Sequence, residues 1–302
     1  MIGRPVLGTM LPHPSDRSIG LVLAALAALF ASSAGVLVRQ VEGADAWSVL
    51  VYRALGFVAA VLLFILIRHG KNTAASFVRI GRPGLVVAVS LGSAFVAFVL
   101  ALIQTNVATV VAVLGVSPMV AALVSWAALG ERPPLLGWLA MAIAFLGVAV
   151  VVWGGLQAGS LAGLALAIFA CLGYAVAIVG LRAGKAIDMS PAICLSGIVA
   201  GLVSLLLVDG MITSRDVVVV GLLLGTVQIG AQYILLTIAT RFAPASDVAL
   251  VMILEVVLAP LWVWIFVGES VPALALAGGG IIIGALVLNA LASRGRVTAQ
   301  SP

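Results

Sequence analysis

The chain has 302 residues, of which 64% are hydrophobic and only 8% charged. Soluble domains carry about a quarter charged residues, so there is too little charge here to cover an aqueous surface, and lipid is the solvent that fits. The net charge of +5 lies between apolar runs rather than on one helical face, which argues against a nucleic-acid surface and for membrane topology.

A helix needs about 20 apolar residues to cross the hydrocarbon core. Ten stretches qualify: Ser18–Val38, Trp47–Ile67, Gly84–Ile103, Asn106–Leu129, Leu135–Trp153, Leu161–Leu181, Pro191–Val208, Val217–Ala239, Ser246–Val267 and Pro272–Leu291. The first is preceded by a basic tail, 1–17, and ends near Ala31-Ser32-Ser33-Ala34, but it is long for a signal peptide and is read as a helix. Connections are short, so successive helices are antiparallel neighbours. With the N-terminus inside, twelve Lys and Arg fall on the inner side and only Arg39, Arg53 and Arg215 on the outer. That bias places both tails, 1–17 and 292–302, in the cytoplasm.

Along the chain, polar residues interrupt the apolar background. Span one carries Ser32 and Ser33, and span two opens with Tyr52-Arg53, whose guanidinium has three readings: a substrate carboxylate, lipid headgroups, or Asp45. Span three offers Ser93, Phe95 and Phe98, span four Asn106, Thr109 and Ser117, and span six Tyr174. In span eight, Gln228 and Gln232 are four apart and share a face with Tyr233 beside them, a stripe too costly to show to lipid. Together these residues describe a mainly apolar cavity with scattered uncharged donors and acceptors, suited to an amphipathic or aromatic small molecule. Most tryptophans, Trp126, Trp138, Trp153, Trp262 and Trp264, are expected as interfacial anchors.

Glu255 stands near the centre of span nine among Ile253, Leu254, Val256 and Val257. An acid at that depth costs roughly 2.5–3.5 kcal/mol on insertion scales, so it faces a cavity or a partner. Its candidate roles are proton coupling and contact with a substrate amine, against a neutral acid hydrogen-bonded to a neighbouring helix. Pro118 and Pro260 each remove a backbone hydrogen bond within a span and are candidate hinges or kinks. Gly278-Gly279-Gly280 and Gly284 give span ten a small face for close packing, with a weak homodimer as an alternative to a monomer. Cys171 and Cys194 lie within spans, without CxxC spacing. The two histidines, His13 and His69, lie outside the spans, and no metal cluster, nucleotide loop or nucleophile motif is present, so no cofactor, metal or catalytic residue is expected.

Spans four and nine end alike, in Gly130-Glu131 and Gly268-Glu269. A second alignment sets Gly20 on Gly163 and Arg39 on Arg182. Both place span one on six and spans four and five on nine and ten. A copy with an odd number of spans must insert upside down, which predicts two inverted five-helix repeats, 18–154 and 160–291.

With these endings, Arg53, Ser117-Pro118 and Leu254-Glu255, the chain resembles the drug/metabolite transporter superfamily of EamA type, over about Gly20 to Leu291. It departs from that pattern where Val256 follows Leu254-Glu255 and proline arrives one turn later, at Pro260. The resemblance implies an all-α carrier of the bacterial inner membrane that exports amino acids or related metabolites by alternating access. It implies a cavity between spans one, three, four, six, eight and nine, with five and ten peripheral, and a structural or gating role for Glu131 and Glu269. The partners expected are a small-molecule substrate, the bilayer and protons. A multidrug transporter, a lipid-modifying intramembrane enzyme and a channel are the rival readings.

Overall fold

A computed structural model describes residues 14–41, 43–130, 135–157, 161–184, 186–211 and 213–299. The described residues form helices and short connections, as lipid demands of a chain whose backbone polar groups must be satisfied within each span. Span one is α1 (Pro14–Ser32) continued by α2 (Ala34–Arg39), and span two is α3 (Ala46–His69). The loop after it is helical, with a 3-10 turn at Gly70–Asn72 and α4 (Thr73–Val78). Span three is α5 (Gly81–Gln104), span four α6 (Val107–Gly115) and α7 (Ser117–Leu129), and span five α8 (Leu135–Gln157). Span six is α9 (Leu161–Ala183), span seven α10 (Ser190–Leu207), and span eight α11 (Arg215–Leu223), a π-helical segment Leu224–Ala231 and α12 (Gln232–Phe242). Span nine is α13 (Ala245–Met252) and α14 (Leu254–Val267), and span ten is α15 (Ala273–Ala299). Among the described residues nine helices are long and apolar enough to cross a membrane, and the apolar part of the tenth, Ala273–Asn289, is shorter.

The ends of the helices follow their local chemistry. Asp45 caps α3 by accepting from the Ser48 backbone N–H at 2.7 Å, and Asn106 caps α6 by accepting from the Ala108 N–H at 2.9 Å. Gly130 and Gly268 both take the left-handed conformation that ends a helix, each donating its N–H to the carbonyl of a tryptophan four residues back, Trp126 and Trp264. The paired endings read from the sequence are thus paired caps. Glu131, beside the first, lies outside the described residues.

The helix pairings occur in matched sets. Span three packs on six and span one on eight; span seven packs on three and span two on eight; span four packs on six and span nine on one. Spans two and seven pack together, as do five and ten. Exchanging the first five spans for the last five leaves this pattern unchanged. Where helices approach most closely, glycine makes room. A Cβ on Gly225 of the π segment would collide with the Arg53 carbonyl oxygen, and one on Gly278 would stand 2.6 Å from the carbonyl of Gly147. The large apolar side chains left outside, such as Leu206 at 83% exposure, face where lipid would be.

Spans one and nine run parallel in fixed register. Arg17 pairs with Asp247 at 2.6 Å, Trp262 donates its indole N–H to Ser32 Oγ at 3.0 Å, and Arg39 pairs with Glu269 at 2.8 Å. Each of these contacts joins residues 230 apart. Trp262, about one and a half turns before the end of α14, thus spends its N–H on a buried hydroxyl of span one. Trp126 and Trp138, 44% and 38% exposed, stack edge to face at the end of spans four and five.

Candidate functional site

Two breaks set the geometry of the bundle centre. Span four breaks at Val116 and span nine at Ile253. At each, the backbone tightens to i→i+3 bonding: Val116 N–H to the Val113 carbonyl and Met119 N–H to Val116, then Ile253 N–H to Leu250 and Val256 N–H to Ile253. The two breaks share both of these i→i+3 bonds. Ser117 and Pro118 open the half-helix after the first break, and Leu254 and Glu255 open the half-helix after the second. Glu255 therefore occupies the place of Pro118, one residue off its sequence alignment with Ser117. Pro260 lies inside α14, and span nine is broken seven residues earlier, at Ile253. An i→i+3 turn marks the break.

A cavity of about 250 Å³ lies against both breaks. Phe95 and Phe98 of span three, Ser117 and Pro118 of span four, and Tyr174 of span six line the first-half side together with Arg53 of span two. Gln228, Gln232 and Tyr233 of span eight and Glu255 of span nine line the other, and Leu286 of span ten closes one end. The walls are mostly aromatic and aliphatic. Phe57 underlies them, edge-on to Phe95 at 5.3 Å and to Tyr233 at 6.1 Å, and Phe95 is 6.0 Å from Tyr174. A larger cavity of about 580 Å³ lies between α6, α14 and α15, but Ser270 and Trp264 are its sole side chains with a polar atom. The smaller cavity holds the charged groups and is the candidate site.

Arg53 is 3% exposed and faces Phe95, its guanidinium carbon 5.2 Å from the ring centroid. It neither snorkels to headgroups nor pairs with Asp45, whose carboxylate is occupied by the Ser48 N–H and hydroxyl. The outer position inferred from charge counting placed Arg53 too near the surface, because α3 begins at Ala46 and carries it two turns inward. Gln228, also 3% exposed, donates its amide N–H to the Ala31 carbonyl at 3.3 Å, tying the π segment to span one.

Polar clusters tie the ends of the spans together. On one face Arg39 donates to Glu269, to the Leu102 carbonyl at 2.6 Å and to the Thr105 carbonyl at 3.1 Å, and the other Glu269 oxygen accepts from the Val107 N–H at 3.2 Å. That joins spans one, three, four and nine. Between spans six and seven Asp188 accepts from the Ser190 N–H at 2.9 Å and hydroxyl at 2.7 Å, with Arg68 at 3.1 Å and His69 at 2.9 Å from span two. Burial pushes the Asp188 carboxyl upward, but the Ser190 and His69 hydrogen bonds and the Arg68 charge outweigh it and hold the group below its ordinary value.

Residues 18–153 match the family model described as EamA-like transporter family. The matched segment is similar to that family and covers the first five spans. The match indicates a membrane transporter of small metabolites. No curated protein matches the chain. Among solved structures 23 chains match. One, described as "Crystal structure of protein", covers 92% of this chain and 98% of its own length with a TM-score of 0.64 and 18% identity, a likeness of fold.

The residues expected around the cavity divide in two. Phe95, Phe98, Ser117, Tyr174, Gln228, Gln232 and Tyr233 come together with Glu255 and Pro118. Ser32, Ser33, Ser93, Asn106 and Thr109 do not line it. Ser32 donates to the Leu29 carbonyl, Ser33 to Phe30 and Ser93 to Val89, while Asn106 caps α6 and donates to the Ser270 carbonyl at 3.2 Å. Thr109 is buried within α6. Small hydroxyls in membrane helices turn back on their own backbone more readily than they face a cavity. Span one contributes no lining residue, whereas spans two and ten do. The signal that could have found Arg53 was in the sequence: a cation seven residues inside a helix start, flanked by apolar turns.

Proposed function

We propose that the protein is a secondary carrier of two inverted five-helix repeats, 18–154 and 160–291, in the bacterial cytoplasmic membrane with both termini inside. It exports amino acids with apolar or aromatic side chains by alternating access, and protons return through Glu255. The observation that carries this reading is a cavity lined by both halves of the chain with an acid at the start of a broken half-helix. Broken helices around a central site are the plan by which carriers expose one site to each side in turn. The aromatic walls suit an apolar side chain, and Glu255 is a group that a proton and a substrate ammonium would occupy in alternation, which is antiport. Spans one and nine, pinned at three levels, move together and carry Glu255 with them.

The test is purified protein in liposomes, offered radiolabelled L-phenylalanine, L-leucine, cationic drugs and dicarboxylates, with and without a pH gradient. Saturable counterflow of the amino acids, driven uphill by the gradient, is the expected result. Flux of the drugs alone points to a multidrug carrier, and no saturable flux for any class overturns the reading.

A further inference from the structure

Four buried side-chain polar atoms among the described residues have no hydrogen-bond partner, and three belong to the cavity residues: Nε and Nη2 of Arg53 and Oε1 of Gln228. The fourth, Ser125 Oγ, is not on the cavity wall. A buried donor or acceptor left unmade is costly, and an unpaired buried charge costs more. The Phe95 ring compensates part of the Arg53 charge but takes none of its N–H bonds.

The identity of the free atoms is informative. Nε–H and Nη2–H run parallel along one edge of the guanidinium, the edge that meets both oxygens of a carboxylate side-on. The Gln228 amide is oriented by its donation to the Ala31 carbonyl, so the atom left over is the acceptor. Two parallel donors and one acceptor complement a carboxylate beside an N–H. The backbone holds the two residues to each other: the π segment Leu224–Ala231 carries Gln228, and its Gly225 sits directly on the Arg53 carbonyl. Such π segments recur at functional sites.

We propose that Arg53 and Gln228 form a headgroup subsite for an α-amino acid: the Nε–Nη2 edge of Arg53 takes the carboxylate, and Oε1 of Gln228 accepts from the ammonium. Phe95, Phe98 and Tyr174 pack on the side chain. This rests on the carrier reading above and goes beyond it in making the carboxylate the obligatory part of the substrate. One fixed cation beside Glu255 matches a monocarboxylate, and a phosphate or dicarboxylate would leave negative charge unpaired in the same cavity.

The experiment is counterflow of radiolabelled L-phenylalanine and L-leucine in proteoliposomes of the full chain. Competitors are the unlabelled amino acid, its amide, which keeps the ammonium but not the carboxylate, and 3-phenylpropionate, which keeps the carboxylate alone. Wild type should prefer the acid to the amide by roughly tenfold or more, the scale of a bidentate charge-assisted contact. Arg53→Gln should raise KM and erase that preference, Arg53→Lys should restore part of it, and Gln228→Leu should weaken competition by the amino acid while leaving 3-phenylpropionate unchanged. The wild-type comparison needs no variant to fold. Counterflow in which the amide competes as well as the acid overturns the subsite while leaving the carrier reading intact. Counterflow of neither amino acid overturns both.

Discussion

The two broken spans have the same backbone and different chemistry. Spans four and nine share the turn, the flanking i→i+3 bonds and the terminal glycine cap four residues after a tryptophan. At the residue that opens each second half-helix toward the cavity, one has Pro118 and the other Glu255. The break therefore does not need a proline at its opening, since span nine breaks seven residues before its own. The shared turn accompanies the bend in both spans, and span nine alone adds a titratable group to it. That asymmetry is what the predictions below are meant to break or sharpen.

The largest effect is expected at Glu255. Glu255→Gln should abolish the pH dependence of transport and lower gradient-driven flux by at least about tenfold, equivalent to about 1.4 kcal/mol, while counterflow persists. Flux measured across an imposed pH gradient checks it, and an unchanged pH response would remove Glu255 from coupling. Next is Arg39→Ala, which leaves Glu269 half-buried opposite an empty place and frees the Leu102 and Thr105 carbonyls. A loss of about 2 kcal/mol of stability is expected. Thermal unfolding in detergent checks it, and Glu269→Gln should cost less because the carbonyl contacts remain.

Gly225→Ala tests the close approach of spans two and eight. The added methyl meets backbone, which cannot move alone, so a cost of about 1–3 kcal/mol and a disturbed Arg53 site are expected. Asp188→Asn is smaller and pH-dependent. A carboxyl held below its ordinary value contributes stability above its unfolded-state value and loses it as pH falls through the folded one. Wild type should exceed the variant in melting temperature at neutral pH, and the difference should shrink as pH falls below the carboxylate range. Smallest is Pro118→Ala, for which a change under about 1 kcal/mol is expected because the break persists without proline. Hydrogen exchange at Val116 and Met119 reads it directly; protection typical of an unbroken helix would show that proline makes the break after all.

The spans were legible because lipid imposes a length and a composition on every crossing helix, and their ends fell within a few residues of the helices seen except at the end of the tenth, whose helix runs on to Ala299. Glu255 was legible for the same reason, since a charge in an apolar run has no bland place to go. The serines were misleading: Ser33 and Ser93 read as cavity donors, yet each hydroxyl bonds its own helix, an outcome that periodicity does not distinguish. Arg53 was seen but misplaced, because charge counts assign sides of a membrane and not depths. The π segment was not legible at all. Nothing in Leu224–Ala231 breaks a helical pattern, and the widened turn exists only against Arg53 and Gly56 of the neighbouring span.

The central claim is that one cavity, lined by both halves, is reached from each side in turn. The most direct measurement places a cysteine at Ser117 after replacing the two native ones, Cys171→Ala and Cys194→Ala, and labels it with a membrane-impermeant maleimide in right-side-out and inside-out vesicles. The account predicts labelling from both sides, slowed from each by L-phenylalanine. Labelling from one side alone, unaffected by the amino acid, would contradict it.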